Sequence, residues 1–291
     1  MNKIIGLMAC WCAEDWVEMS LRQMCELCDE VFVNVSAHSP SMEQFADSTY
    51  ERVIEFSVNN KKVNVVEVDN FNLVNHSMVK ANIFNKMLTK SKLFEIGNWI
   101  WTFDADEFYH PEAIDHVRNI MSFTDTPFNQ ILFKERYFYI DTRHFLKGDH
   151  NRLFKIEPEN LNLGFRFVPT QKWSATTKSV AFIPMQVGMF HYGMLLNPFA
   201  KMEFWKTEYP DKTQSRKVMW LDKIYRNYDL KNEDFWVLEN EKLFNIKSPW
   251  FAKDFEPDSN GRLFDYNDSH IKMIEESGLT KINDFRDKFG F

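Results

Sequence analysis

Three acids, Asp104, Asp106 and Glu107, stand directly behind the mostly apolar run Trp99–Phe103. That run (WIWTF) reads as a buried strand, and a buried strand ending in carboxylates is costly unless cations neutralise them. In an open α/β sheet the carboxyl end of a strand is also where ligands bind. On an extended chain Asp104 and Asp106 point the same way, so the pair could share a divalent metal or a metal-bound phosphate. Carboxylate oxygens are hard ligands and favour Mg or Mn over Zn. The structural alternative is that these acids cap a helix starting near Pro111, or sit solvated in a loop.

The elements that must position such a cluster can be read around it. Residues 3–10 read as a first strand and 14–27 as an amphipathic helix opened by Glu14 and Asp15, acids that suit a helix N-terminus. Residues 30–36 (EVFVNVS) form a second strand, followed by the turn-rich AHSPSME. Residues 63–68 form a third strand. Val74, Met78, Ala81, Phe84 and Leu88 mark one helix face, Trp99–Phe103 is the fourth strand, and Ile114, Val117 and Met121 step along a short helix. Alternating strands and helices predict a mostly parallel sheet covered on both faces. From Gln130 the texture changes. QILFKERYFYI, RLFKI, SVAFI and GMFHY follow one another as strands, which predicts an antiparallel portion. Helices are expected over 198–209 and 215–228, the latter with Val218, Leu221, Tyr225 and Tyr228 on one face. Beyond Asp229 the expectation is short helices and turns. The expected organisation is a core over 1–195 and a helical C-terminal extension over 196–291, packed as one contiguous domain.

Bulk properties exclude several classes. The chain has 291 residues, 44% hydrophobic and 26% charged, an ordinary globular balance. A net charge of -7 argues against broad nucleic-acid binding, which needs a basic surface. Aromatic residues reach 16%, enough to build a core, a flat interface or a sugar-stacking surface. The opening MNKIIGLMAC resembles a lipoprotein signal ending at Cys10, but its apolar run is short and Glu14 and Asp15 follow at once. No stretch approaches the ~20 apolar residues of a membrane span. A cytoplasmic location is expected. Cys10, Cys12, Cys25 and Cys28 have a spacing that invites zinc. Cys25 and Cys28, however, fall on a helix face with Val17, Leu21 and Met24, where cysteine acts as a small hydrophobe. Core packing is the expectation.

Taken together, the N-terminal strand, the acidic pair in CAEDWVEMSLRQM, CDEVFVNVS and a later strand ending in DADE resemble glycosyltransferase family 2. The likeness is nearest to the branch of lipopolysaccharide-core glucosyltransferases, through NRLFKI and MFHYG. It spans roughly residues 3 to 195, and the order and spacing of its short motifs carry it. The resemblance implies a GT-A (Rossmann-like) fold, Mn or Mg, and a UDP- or GDP-sugar donor. It also implies inverting transfer to the hydroxyl of a glycan or other acceptor, assisted by a carboxylate base. On that reading Asp104 and Asp106 are the DxD acids, Asp106 the more direct metal ligand and Asp104 near the ribose or a metal-bound water. Glu107 orients the metal's water shell or the sugar, and His191 matches a further metal ligand. Cys12 and Glu14 match the loop that holds the base. Asn34, Ser36 and His38 stand where many members have an Asp-rich turn, a departure that leaves the nucleotide open. Lys80 and Asn82 match an Arg-Asn pair near the diphosphate, although lysine lacks arginine's bidentate fork. Arg152 is a diphosphate contact or a salt-bridge partner.

The base is not singled out: Glu135, Asp141 and Asp149 are candidates, with Asp149 favoured because it precedes the Arg-Leu-Phe segment. Trp173, Phe204 and Trp205 could stack on acceptor sugars or pack in the core. Lys201, Lys206, Arg216 and Lys217 could serve an acceptor, a peripheral membrane contact or a partner subunit. The oligomeric state is open. Two other classes stay in view: a different metal-dependent phosphate-processing enzyme (nucleotidyltransferase or phosphohydrolase), and a non-catalytic module binding a nucleotide sugar or glycan. A haloacid-dehalogenase-type phosphatase would show a hydroxyl residue where this chain has Phe108.

Overall fold

A computed structural model describes residues 2–37, 40–68, 76–123, 126–158, 161, 179–208, 212–245 and 256–290. His38 and Trp173, and the start of the helix expected at Val74, lie outside the described residues. The chain forms two compact units: residues 1–134 with 150–189, and residues 135–149 with 190–291.

The first unit is α/β, with a mixed, mostly parallel sheet. Strands β1 (Ile4–Cys10), β2 (Glu30–Val35), β3 (Val63–Val65) and β4 (Trp99–Phe103) are all parallel, in the order β3-β2-β1-β4. Both β1 and β4 are buried along their whole length, which is why they read as continuous apolar runs rather than alternating ones. Alternate residues serve opposite faces. Ile4, Met8, Cys10, Trp99, Trp101 and Phe103 join helix α1 (Val17–Leu27) in one cluster. Ile5, Leu7, Ala9 and Ile100 join Ala81, Ile83, Phe84 and Met87 of α3 (His76–Leu88) in the other. Fully burying each large apolar side chain stabilises by roughly 1.5–3 kcal/mol.

Gly6 on β1 makes the first of these contacts fit: a Cβ there would lie 2.8 Å from Cys28 Sγ and 3.0 Å from Met24 Cε. The cysteines are all free, and Cys10, Cys12 and Cys28 are buried. Burial and the Asp47 carboxylate raise the Cys10 thiol pKa, and the same two causes push that of Cys12 up to about 12.

Three features of this unit were not anticipated. Helix α2 (Thr49–Asn59) occupies part of the stretch behind the turn-rich AHSPSME. A short strand β5 (Glu107–Tyr109) comes between the acids and helix α4 (Pro111–Ser122). The third strand ends at Val65 rather than Val68. Two long strands, β6 (Gln130–Phe138) and β7 (His144–Lys155), begin in one unit and end in the other. Within the first, β7 runs antiparallel to β4, with Trp101 opposite Leu153. Residues Gln130 to Phe133 of β6 pair in parallel with β8 (Val180–Ile183).

In the second unit β6 turns into β7, and β10 (Phe264–Asp265) runs antiparallel to β7. Met189–His191 (β9) ends there, followed by helices α5 (Pro198–Glu208), α6 (Lys212–Lys223) and α7 (Glu233–Phe244). Its core gathers Tyr137, Tyr139, Trp205, Trp220, Tyr225 and Tyr228. Much of the chain's aromatic excess is therefore spent on packing. No helix among the described residues is long and apolar enough to cross a membrane.

Candidate functional site

Strand register decides what meets at the end of β4. Since β1, β2 and β4 are parallel, their carboxyl ends share one edge, with Met8 opposite Phe103 and Cys10 opposite Val35. Asp104 is the first residue past β4. The segment behind it is a turn, closed by Glu107 N–H donating to the Asp104 carbonyl at 3.2 Å. This corrects the extended geometry expected for Asp104 and Asp106: the turn brings Asp104 and Glu107 together instead. The Asp104 N–H also donates to Glu107 Oε2 at 3.4 Å.

Two cations close on this turn. Lys80 of α3 places Nζ on Asp104 Oδ1. Arg152, next to Leu153 on β7, lies opposite the end of β4, where Thr102 Oγ1 donates to its carbonyl at 3.4 Å. Its Nη2 donates to Asp104 Oδ2 at 2.8 Å and also to Glu107 Oε1. Glu107 is fully buried, Asp106 is 5% exposed and Arg152 3%. Burial alone would lower the Arg152 pKa, but the Glu107 and Asp104 carboxylates outweigh it and hold the guanidinium charged. Arg152 Nε is buried with no hydrogen-bond partner among the described residues.

Gln23 braces the turn from α1. Its amide accepts from Tyr109 N–H and donates to Tyr109 C=O, both at 3.0 Å, so it imitates a neighbouring strand. Sequence reasoning passed over this residue, although a glutamine on the buried face of a helix is a signal in itself. His110 then caps α4 by accepting from Glu112 N–H at 3.2 Å, with Pro111 at its first position. The cap of that helix is thus the histidine, not the acids.

The donors offered here are carboxylate oxygens, a set that fits Mg or Mn rather than Zn. Both oxygens of Asp104 are already in contact with a cation.

The other nucleotide candidates are engaged in local structure at the same sheet edge. Cys12 has a left-handed backbone (φ 55) and its thiol donates to the Phe45 carbonyl at 2.9 Å. Glu14 accepts from Ser48 Oγ at 2.7 Å, and its own N–H donates to Asp47 at 3.1 Å. Asn34 donates to the Val66 carbonyl at 2.8 Å and accepts from Ser36 Oγ at 2.7 Å. The Cys12 and Glu14 bonds tie the loop after β1 to the stretch leading into α2, and the Asn34–Val66 bond ties β2 to the segment after β3.

The remaining candidates belong to the second unit. Glu135 is fully buried, with Oε2 3.0 Å from His191 Nδ1. Tyr137 lies edge-on to the His191 ring. Lys201 Nζ reaches the Tyr137 hydroxyl at 3.4 Å and also the Gly193 carbonyl. A Cβ at Gly193 would stand 2.7 Å from His191 Nε2, so only glycine fits between these groups. Tyr137 and Gly193 were not singled out from the sequence, and Lys201 was named only as part of a basic cluster. Asp141 is fully buried and spent on its own turn, accepting from the N–H groups of Arg143 at 2.8 Å and His144 at 3.0 Å. Asp149 is exposed on β7. Trp205 is buried in the core with Phe204 packed against it, which gives both a packing role.

Comparison of the chain with protein-family models and with curated proteins finds no match.

Proposed function

We propose that this chain is a metal-dependent, inverting glycosyltransferase of GT-A type, moving a sugar from a nucleotide-diphosphate donor to an acceptor hydroxyl. The observation that carries the reading is the Asp104–Glu107 turn with Lys80 and Arg152 upon it, at the carboxyl edge of parallel strands. Anionic and cationic groups at one sheet edge suit a ligand that brings both a dication and a diphosphate.

On this reading Lys80 and Arg152 receive phosphate oxygens, and Asp104 and Asp106 would hold Mg or Mn. The metal, when bound, would supply charge neutralisation as the nucleotide leaves. Glu107 fixes Arg152 from below, and Gln23 fixes the turn that presents both acids. A base must take the proton of the acceptor hydroxyl. Of the candidate bases, Glu135 is buried against His191 and Asp141 is spent on its own turn, whereas Asp149 is exposed.

Calorimetric titration of UDP, GDP and their glucose conjugates tests the reading, with Mn and with EDTA, on wild type and on Asp106→Ala. The expected result is binding of one nucleotide that weakens at least about tenfold in EDTA and in the variant, equal to about 1.4 kcal/mol. Failure of every nucleotide to bind would sink it. Binding indifferent to metal and to Asp106 would return the acids to a structural role.

A further inference from the structure

The cluster at the end of β4 carries its own cations. Lys80 lies on one oxygen of Asp104 and Arg152 on the other, and the same Arg152 nitrogen reaches Glu107. A carboxylate with a full positive charge on each oxygen is a poor ligand for a dication. The incoming ion meets two like charges at short range and must displace one of them. Lys80 is 8% exposed and Arg152 3%, so solvent screens little of that repulsion. One donor of the pair is unspent, the buried Arg152 Nε. A buried donor without a partner is costly, and an oxyanion with several acceptor oxygens could satisfy it while drawing on Lys80.

We propose that Lys80 and Arg152 are built-in counter-ions that keep a divalent metal off Asp104 until a phosphate-like anion draws them away. Anion and metal then bind with positive coupling, and by linkage each tightens the other by the same factor. The proposal rests on the reading of this cluster as a diphosphate and metal site. It adds an order to that site, with the anion first.

Mn²⁺ binding to the full chain, followed through the paramagnetic resonance of the free ion, tests this without nucleotide or turnover. Lys80→Met should bind Mn²⁺ at least about tenfold more tightly than wild type, or about 1.4 kcal/mol. Lys80→Arg keeps the charge and should match wild type. Sulfate, at ionic strength matched with chloride, should tighten Mn²⁺ binding by wild type and do so less for Lys80→Met. Equal Mn²⁺ affinity in wild type and Lys80→Met, or a wild type indifferent to sulfate, would overturn the proposal. The sulfate series needs no variant, so it decides even if Lys80→Met does not fold. Failure of nucleotides to bind wild type would remove the transferase reading and leave these Mn²⁺ results standing.

Discussion

Arg152 serves two carboxylates with one nitrogen, and one of them, Glu107, has no contact with solvent. Removing one partner of a buried ion pair costs roughly 3–5 kcal/mol, because the other charge is left in a medium that cannot solvate it. Arg152→Met should lose stability of that order in urea unfolding, and Arg152→Lys should lose less. Lys3→Met, which breaks the exposed pair to Asp29 at 2.7 Å, should cost under about 1 kcal/mol. Equal losses at the two sites would show that burial of the pair has no energetic consequence. Asp104 was legible because charge beside an apolar run is conspicuous, whereas Lys80 and Arg152 were named only through the family resemblance. The pairing of Asp104 with Glu107 was not, since it depends on a turn held by Gln23 from a distant helix.

At the scale of elements, close approach of α1 to β1 depends on the missing side chain at Gly6. Gly6→Ala overpacks that contact and should cost about 1–3 kcal/mol. Cys28→Ala removes the nearest clashing atom, so the double variant should lose less than the sum of the single losses in the same unfolding assay. Strict additivity would place the strain elsewhere. Strands β1, β2 and β4 were readable because sheets covered on both faces need unbroken apolar runs. Helix α2 escaped because only Thr49 and Val53 of its residues are buried, too narrow a stripe to set a period. The first half of β7 escaped because Lys147, Gly148, Asp149 and His150 interrupt its apolar pattern.

For the whole molecule, pH reaches stability through histidines of opposite sign. Burial works to lower the His144 pKa, but the Asp141 carboxylate wins and raises it. Its contribution is full below the unfolded value of about 6.5 and fades as pH rises through the folded value. The pKa of His270, half-buried beside Tyr192, is lowered by partial burial, so its contribution is full above about 6.5 and fades as pH falls. Burial acts to raise the Asp141 pKa, but its bonds to His144 and Arg143 prevail and lower it, which adds a loss below about pH 4. Unfolding free energy should therefore peak near about pH 6.5. His144→Gln should flatten the alkaline limb and His270→Gln the acid one, and a profile unchanged by either would refute the assignment. The strand that bears the acids has one more property. Trp99 and Trp101 are at most 1% exposed, and Trp101 stacks on Phe103 at 5.2 Å and meets Tyr109 edge-on at 4.8 Å. Such dry indoles emit at short wavelength, and Trp101 stands three residues before Asp104 on the same rigid strand. The protein thus carries an intrinsic optical probe beside the Asp104 turn, and a disturbance of that turn should be visible in its emission without a label.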